Sequence, residues 1–240
     1  MPTEIVMIRH AQSTGNAADR ASLNGDHSLF TKEIREMQSP DWPLTNIGMT
    51  QSKRAGDWVR NNIASEFDLY LSSNYRRSVQ TSELLGFVSA KWKIDPLLRE
   101  RSWGGLENLP YPERNAAFEK AGMPPLENSL EWKPVGGESM NEVILMLKSF
   151  ISRSAASIRG KRILIVTHGG PMHGFRFLQR RLAPSQYIPF CSRVGYIRNC
   201  HIFHYYSKRN ESDEIPLFDF ERSVFVDGNN KIIDATDRIG

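Results

Sequence analysis

The stretch Ile5-Val6-Met7-Ile8-Arg9-His10-Ala11-Gln12-Ser13-Thr14-Gly15-Asn16 decides the fold. A short apolar run stops at an Arg-His pair, and small polar residues with a glycine follow. An apolar run of this length, bounded by turn residues, predicts a parallel strand covered on both faces of an α/β sheet. In open α/β sheets, ligands bind outside the carboxyl ends of the strands. Arg9 and His10 fall at such an end, with Ser13 and Asn16 in the loop that follows. A neutral imidazole is a nucleophile toward phosphorus near neutral pH, and a guanidinium fork matches phosphate oxygens. The pair points to phosphoryl chemistry. The plainer alternative is a strand that ends in two polar surface residues.

Further strands follow the same pattern. Asp68–Ser72 reads as a second strand ending in small polar residues, with Arg76-Arg77 just beyond and a helix over Ser78–Leu85. Trp92-Lys93-Ile94 is a short third strand, stopped by Asp95-Pro96. Ile163–Thr167 is the clearest buried strand; it ends in His168-Gly169-Gly170, and Pro171 suits the first turn of a helix. Asn199–Tyr206 reads as another strand. Phe218–Val226 and Lys231–Ile233 flank Asp227-Gly228-Asn229-Asn230, a hairpin signal.

Between the strands, Thr45 is a candidate N-cap for a helix with Ile47, Ala55, Trp58, Val59 and Ile63 on its apolar face. Ser139 opens a long helix with Val143, Leu147, Phe150 and Ile151 on one face. Residues 17–43 are polar, with a turn at Asn24-Gly25-Asp26-His27 and one or two helical turns over Thr31–Met37; the length suits a lid or specificity element. Residues 97–137 are rich in proline and aromatics, with a short helix around Glu113–Ala121, and read as an insertion over the carboxyl end of the sheet. The predicted architecture is a three-layer αβα sandwich with a mainly parallel central sheet, a helical insertion over the site and a C-terminal β-hairpin. It forms one domain over residues 1–240, with insertions at about 17–43 and 97–137 and an extension at about 207–240.

Composition narrows the partners. Of 240 residues, 40% are hydrophobic and 24% charged, as in ordinary globular proteins, and no apolar run is long enough to span a bilayer. No secretory signal is visible, and Cys191 and Cys200 lack metal-site or redox spacing, so a reduced cytoplasmic protein is expected, with pairing of the two thiols left open. A net charge of +4 is mild. It suits a small anionic substrate at least as well as nucleic acid, and no basic block with interleaved aromatics is present. The expected partner is a small phosphorylated molecule, not nucleic acid or membrane; a homodimer is left open.

Phosphate-competent residues thus close three strands: Arg9-His10, Arg77, and His168 with its glycines. With these residues the chain resembles the histidine phosphatase superfamily, also called the phosphoglycerate mutase-like superfamily. The opening Arg9-His10 is followed by Ser13 and Asn16, three and six residues after the histidine. Ser73-Asn74-Tyr75-Arg76-Arg77-Ser78-Val79-Gln80-Thr81 resembles the second motif, and register on Gln80-Thr81 selects Arg77 over Arg76. Leu98-Arg99-Glu100 with Trp103-Gly104 resembles the segment that carries the acid. Gly137-Glu138-Ser139 and Thr167-His168-Gly169 complete the set in order, over roughly the first 180 residues.

The resemblance implies a phosphohistidine mechanism with no metal and no cofactor. His10 is the nucleophile and Glu100 the acid. Arg9, Arg77 and His168 hold the phosphate, with Ser13, Asn16 and the Gly169 amide as further binding groups. Mutases of the superfamily typically carry Glu-Arg-His-Tyr-Gly around the acid. Here Glu100-Arg101-Ser102-Trp103-Gly104, then Gly105-Leu106-Glu107, is closer to the phosphatase-like pattern. A phosphomonoesterase is therefore expected ahead of mutase-type transfer, or of a phosphate-binding interaction module without catalysis. Arg76, His27, His173, His201 and His204 are read as structural or surface residues, as are Glu107 and Glu138. Trp42, Trp103 and Trp132 are assigned to packing.

Overall fold

Strand β1 (Glu4–Arg9) sets the layering: Ile5 and Met7 enter one hydrophobic cluster, Val6 and Ile8 another. A strand apolar on both faces needs helices on both sides. The computed structural model describes residues 2–124, 129–207, 218–226 and 231–234. Within these, β1 joins β2 (Leu69–Ser72), β3 (Trp92–Ile94), β4 (Arg162–Thr167), β5 (Ile202–Ser207), β6 (Phe218–Val226) and β7 (Ile232–Asp234) in one sheet. The strand order is β3-β2-β4-β1-β5-β6-β7. Pairings β3–β2, β2–β4 and β4–β1 are parallel, and β1–β5, β5–β6 and β6–β7 antiparallel. The expected parallel half is present and carries the strand ends of interest. The C-terminal strands add an antiparallel half, so the sheet is mixed.

The helices are α1 (Thr14–Leu23), α2 (Lys32–Glu36), α3 (Asn46–Asn62), α4 (Arg76–Leu84), α5 (Tyr111–Lys120), α6 (Met140–Ile158), α7 (Gly169–Gln179) and α8 (Tyr187–Val194). One face of the sheet packs on Val143 and Leu147 of α6, Met172 and Phe175 of α7 and Phe190 of α8. The other packs on Ala55 and Val59 of α3 and on Leu85. Val6, Ile8, Leu164 and Val166 are fully buried, each worth about 1.5–3 kcal/mol of transfer free energy. Gly56 lets α3 lie against the end of α4: a Cβ there would stand 1.9 Å from the Leu85 carbonyl oxygen.

Several local expectations change. The 17–43 segment reads as polar in sequence, with a turn at Asn24–His27 and helical turns only over Thr31–Met37, yet α1 covers its first seven residues. Ser13 caps that helix, and the small residues Gly15, Ala17 and Ala18 carry too little hydrophobic signal to reveal it. Trp42 closes over Gly15, where a Cβ would meet its ring at 2.0 Å. In α3, Ile47 is exposed, and Gly48, Gln51 and Ser52 join Ala55 and Val59 on the buried side. Helix α4 starts at Arg76, two residues before Ser78. Strand β5 starts at Ile202 instead of Asn199, because Cys200 turns through a left-handed conformation (φ 51°). Helix α8 was not anticipated. The hairpin strands pair as β6 and β7, while the hairpin turn at 227–230 and most of the charged turn at 207–214 lie outside the described residues. Cys191 and Cys200 are not joined by a disulfide. Among the described residues, no helix is long and apolar enough to cross a membrane.

Candidate active site

The parallel strands deliver their carboxyl ends to one place. His10 follows β1 and donates its backbone N–H to the Thr167 carbonyl at the end of β4 (2.8 Å), while Ser73 follows β2 and donates to Val166 (3.0 Å). His10 is 1% exposed. Its Nδ1 bonds the Ala11 carbonyl at 2.8 Å, and Arg77 Nε donates to its Nε2 at 3.1 Å. A ring nitrogen that accepts carries a lone pair, so the proton is on Nδ1 and Nε2 keeps its lone pair. Burial, then Arg77 and Arg9, push the His10 pKa well below 6.5, against the Ala11 carbonyl. The ring is neutral at neutral pH.

Arg77, in the first turn of α4, is held as firmly as its target. Its Nη1 donates to the Ser39 carbonyl (2.6 Å), and its guanidinium lies 4.8 Å from the Tyr75 ring centroid. Thr81, one turn on, donates to the Arg77 carbonyl (2.6 Å) and accepts the Ala11 N–H (3.0 Å), tying α4 to the loop after β1. Burial lowers the Arg77 pKa to about 10, although Glu100 opposes the shift.

Arg9 and a neutral His168 complete a buried polar floor. Arg9 donates to the Ile197 carbonyl and lies beneath the Tyr196 ring at 4.8 Å. His168 Nε2 meets Ser73 Oγ at 2.8 Å and Ser78 Oγ at 3.2 Å, and its ring centroid is 4.9 Å from that of His10. Burial, Arg77 and His10 hold its pKa well below 6.5. Arg9 Nε and His168 Nδ1 are buried and meet no partner among the described residues. A buried donor without a partner needs a reason. A bound oxyanion would offer both atoms an acceptor.

Ser13, Asn16 and Gly169 are present but used differently from expectation. Ser13 Oγ accepts the Asn16 N–H at 3.2 Å as the N-cap of α1, and Asn16 Oδ1 accepts from Ser13 N at 3.3 Å, a reciprocal capping box. Asn16 Oδ1 also accepts from Asn199 Nδ2 (2.9 Å), which donates to the His10 carbonyl as well (3.1 Å). The Gly169 amide donates to Glu100 Oε2 (3.1 Å) instead of pointing at an open phosphate site. Gly170 N donates to Glu100 Oε1 at 2.9 Å, as does Arg101 N. The N-terminus of α7 attracts the nearest carboxylate, and this fixes Glu100 beside His168. A Cβ on Gly169 would lie 3.8 Å from both Arg9 Nε and Glu100 Oε2, so the acid and the floor converge.

Glu138, read as an ordinary carboxylate, has a definite place. It pairs with Arg99 through both oxygens and accepts the Ser102 N–H at 2.9 Å, while Arg99 also donates to the Glu100 carbonyl at 3.0 Å. It therefore brackets the acid loop on both sides. Ser73, Ser78, Thr81 and Asn199 are the contributors that sequence reasoning left without a role. The first three lie inside the second motif, which was the available signal; Asn199 had none. His201 bonds Ser223 (2.6 Å) and His204 bonds Glu4 (2.6 Å), both as structural histidines. Burial lowers His173 to about 4.

Comparison with known proteins agrees with this geometry. The chain matches the model of the histidine phosphatase superfamily (branch 1) over residues 5–187. It is 28% identical over 181 residues to a 2,3-bisphosphoglycerate-dependent phosphoglycerate mutase of Rhizobium etli, covering 72% of this chain and 78% of the relative. It is 27% identical over 186 residues to phosphoglycerate mutase-like protein 4 of Arabidopsis thaliana, covering 76% and 72%. A mycobacterial glucosyl-3-phosphoglycerate phosphatase shares the fold at TM-score 0.69 and 20% identity, over 91% of this chain and 97% of that one. An alpha-ribazole phosphatase from Shigella flexneri does so at TM-score 0.65 and 17% identity, over 90% and 95%. With the family's model matched across the strand ends that carry His10, Arg77, Glu100 and His168, the chain belongs to the histidine phosphatase superfamily, branch 1.

Proposed function

We propose that this chain is a metal-independent phosphomonoesterase that works through a phosphohistidine on a small phosphorylated metabolite. The supporting observation is the state of His10: a neutral ring with its Nε2 lone pair aligned by Arg77, beside the unpartnered donor of Arg9. His10 Nε2 attacks phosphorus, an N–P bond forms and the P–O bond to the alcohol breaks. Arg9 and Arg77 neutralise charge on the transferring group from fixed positions, and the neutral His168 adds a hydrogen bond. Glu100 gives the departing oxygen a proton, then takes one from the water that attacks the phosphohistidine, releasing phosphate and restoring His10. Asn16 holds the loop that presents the nucleophile.

The mutase alternative has the names of the curated relatives behind it. Ser102 and Trp103, where mutases typically carry His-Tyr, favour hydrolysis. The test is phosphoryl labelling with excess chelator present. The wild-type chain is expected to take up acid-labile, base-stable phosphate and to release inorganic phosphate, and His10→Ala to do neither while remaining folded by circular dichroism. Near-normal turnover by His10→Ala, or loss of wild-type turnover on chelation, overturns the reading. Isomerisation of 3-phosphoglycerate in place of its hydrolysis selects the mutase.

A further inference from the structure

Two serines that never face solvent converge on one atom of the floor. Ser73 is the first residue past β2, and its backbone N–H bonds Val166 of β4, the strand that ends at His168. Ser78 lies in the first turn of α4. Both are fully buried, and their hydroxyls meet His168 Nε2 at 2.8 Å and 3.2 Å. The other ring nitrogen, Nδ1, is buried and meets no partner among the described residues. A neutral imidazole carries one proton, on one nitrogen or the other. Which nitrogen carries it decides whether the ring donates to an oxyanion or turns a lone pair toward it.

The hydrogen-bond count around the serines separates the two tautomers. Ser73 Oγ already accepts the Tyr75 N–H at 3.2 Å. Among the described residues, Nε2 is the acceptor within reach of either hydroxyl. With the proton on Nε2, both hydroxyl hydrogens would be buried without an acceptor, a state that folded proteins avoid. With the proton on Nδ1, Nε2 accepts from Ser73, the nearer hydroxyl, and Ser73 Oγ stays the acceptor for Tyr75. The Tyr75 ring stands edge-on to the imidazole, 5.0 Å between centroids, and restrains it from turning off the serines. Nδ1 then carries a proton in the floor that also holds the unpartnered Arg9 Nε, with the His10 ring 4.9 Å away. Building on the phosphatase reading above, we propose that Ser73, seconded by Ser78, is a positioning residue that fixes His168 in its Nδ1–H tautomer, so that the ring donates to the phosphoryl group. Ser73 acts through His168, and its effect grows as charge develops on the transferring oxygens.

The test is the nitrogen-15 spectrum of the imidazoles at neutral pH, with His168 assigned by the signals lost in His168→Gln. The wild-type chain is expected to show His168 protonated at Nδ1 and bare at Nε2, with and without inorganic phosphate. Ser73→Ala combined with Ser78→Ala is expected to populate the Nε2–H tautomer. It is also expected to lower kcat for p-nitrophenyl phosphate by about 10–10²-fold, short of the roughly 10²–10³-fold that outright loss of an oxyanion donor costs, with a smaller change in KM. Ser73→Ala alone, with the Ser78 hydroxyl still in reach, is expected to show the same changes in smaller measure and serves if the double variant does not fold. A wild-type His168 protonated at Nε2, or variants that leave the tautomer unchanged whatever their rate, overturn the proposal. The spectra need no turnover, so the two readings fail separately. Nε2 protonation in a chain that hydrolyses p-nitrophenyl phosphate through His10 removes this proposal alone. Absence of His10-dependent hydrolysis removes the phosphatase reading, and this proposal with it.

Discussion

At the scale of single residues, the site works by denying partners to some atoms and fixing others. His10 is oriented from both nitrogens, by the Ala11 carbonyl and by Arg77. Its protonated form has no lone pair at Nε2, so lowering the pKa preserves the reactive form as pH falls. Attack capacity is expected to persist below pH 6.5 and to be lost only as pH drops through the depressed pKa. Nitrogen-15 spectra of the imidazole check this directly; a ring that titrates near 6.5 contradicts the geometry. Glu100 is distinguished from Glu107 by position: Glu100 lies on the α7 amides beside His168, whereas Glu107 bonds Trp103. Glu100→Gln is expected to slow an alkyl phosphate by roughly 10²–10⁴-fold, the range for a positioned acid. p-Nitrophenyl phosphate, whose leaving group needs no proton, is expected to slow less, unless breakdown of the phosphohistidine is already rate-limiting, which burst kinetics reveals. If Glu107→Gln alone shows this dependence on the leaving group, the acid has been misassigned.

At the scale of elements, strand ends supply direction and helix starts supply charge. Helix α7 shows how closely the two are coupled. A Cβ on Gly170 would stand 2.5 Å from Glu100 Oε1, the far end of a flexible side chain. Gly170→Ala therefore leaves the fold intact and moves the carboxylate. Since a misplacement of about 1 Å costs about 10²-fold, turnover of alkyl phosphates is expected to fall by roughly 10–10²-fold with little change in thermal midpoint. An unchanged rate means Glu100 is not held at the α7 terminus during the reaction. The helices that sequence patterning missed have physical reasons too. Helix α1 buries Gly15, Ala18 and Ser22, which give no apolar stripe, so its start was legible only from the Ser13–Asn16 capping pair. Strands β1 and β4 were legible because both of their faces are covered and the runs Ile5–Ile8 and Ile163–Val166 are apolar throughout.

At the scale of the whole molecule, the two insertions are joined to each other above the sheet. Asn108 Nδ2 reaches the carbonyls of Ile34 (2.9 Å), Arg35 (3.1 Å) and Met37 (2.5 Å), and Arg35 pairs with Glu113. The Arg35–Glu113 pair is largely exposed, so solvent screens it; the Asn108 contacts to Ile34 and Met37 are partly buried. Asn108→Ala is expected to raise amide exchange across residues 30–42 and 104–120 while β1 and β4 keep their protection. A parallel loss of protection in β1 would mean that canopy and core open together. What the sequence by itself determined was local: apolar runs that must be strands and their polar ends at Arg9-His10 and His168, while Arg77 over Arg76 and Glu100 as the acid came from the family resemblance. Those features depend on residues adjacent in the chain, where pattern and turn chemistry suffice. Only the tertiary structure decided that the Gly169 amide holds Glu100, that Asn199 locks Asn16 to His10, and that Glu138 brackets the acid loop. Each joins groups 36 to 189 positions apart, and long-range hydrogen bonds of this kind leave no periodicity in the sequence, because packing of the sheet and its helices alone brings the partners together.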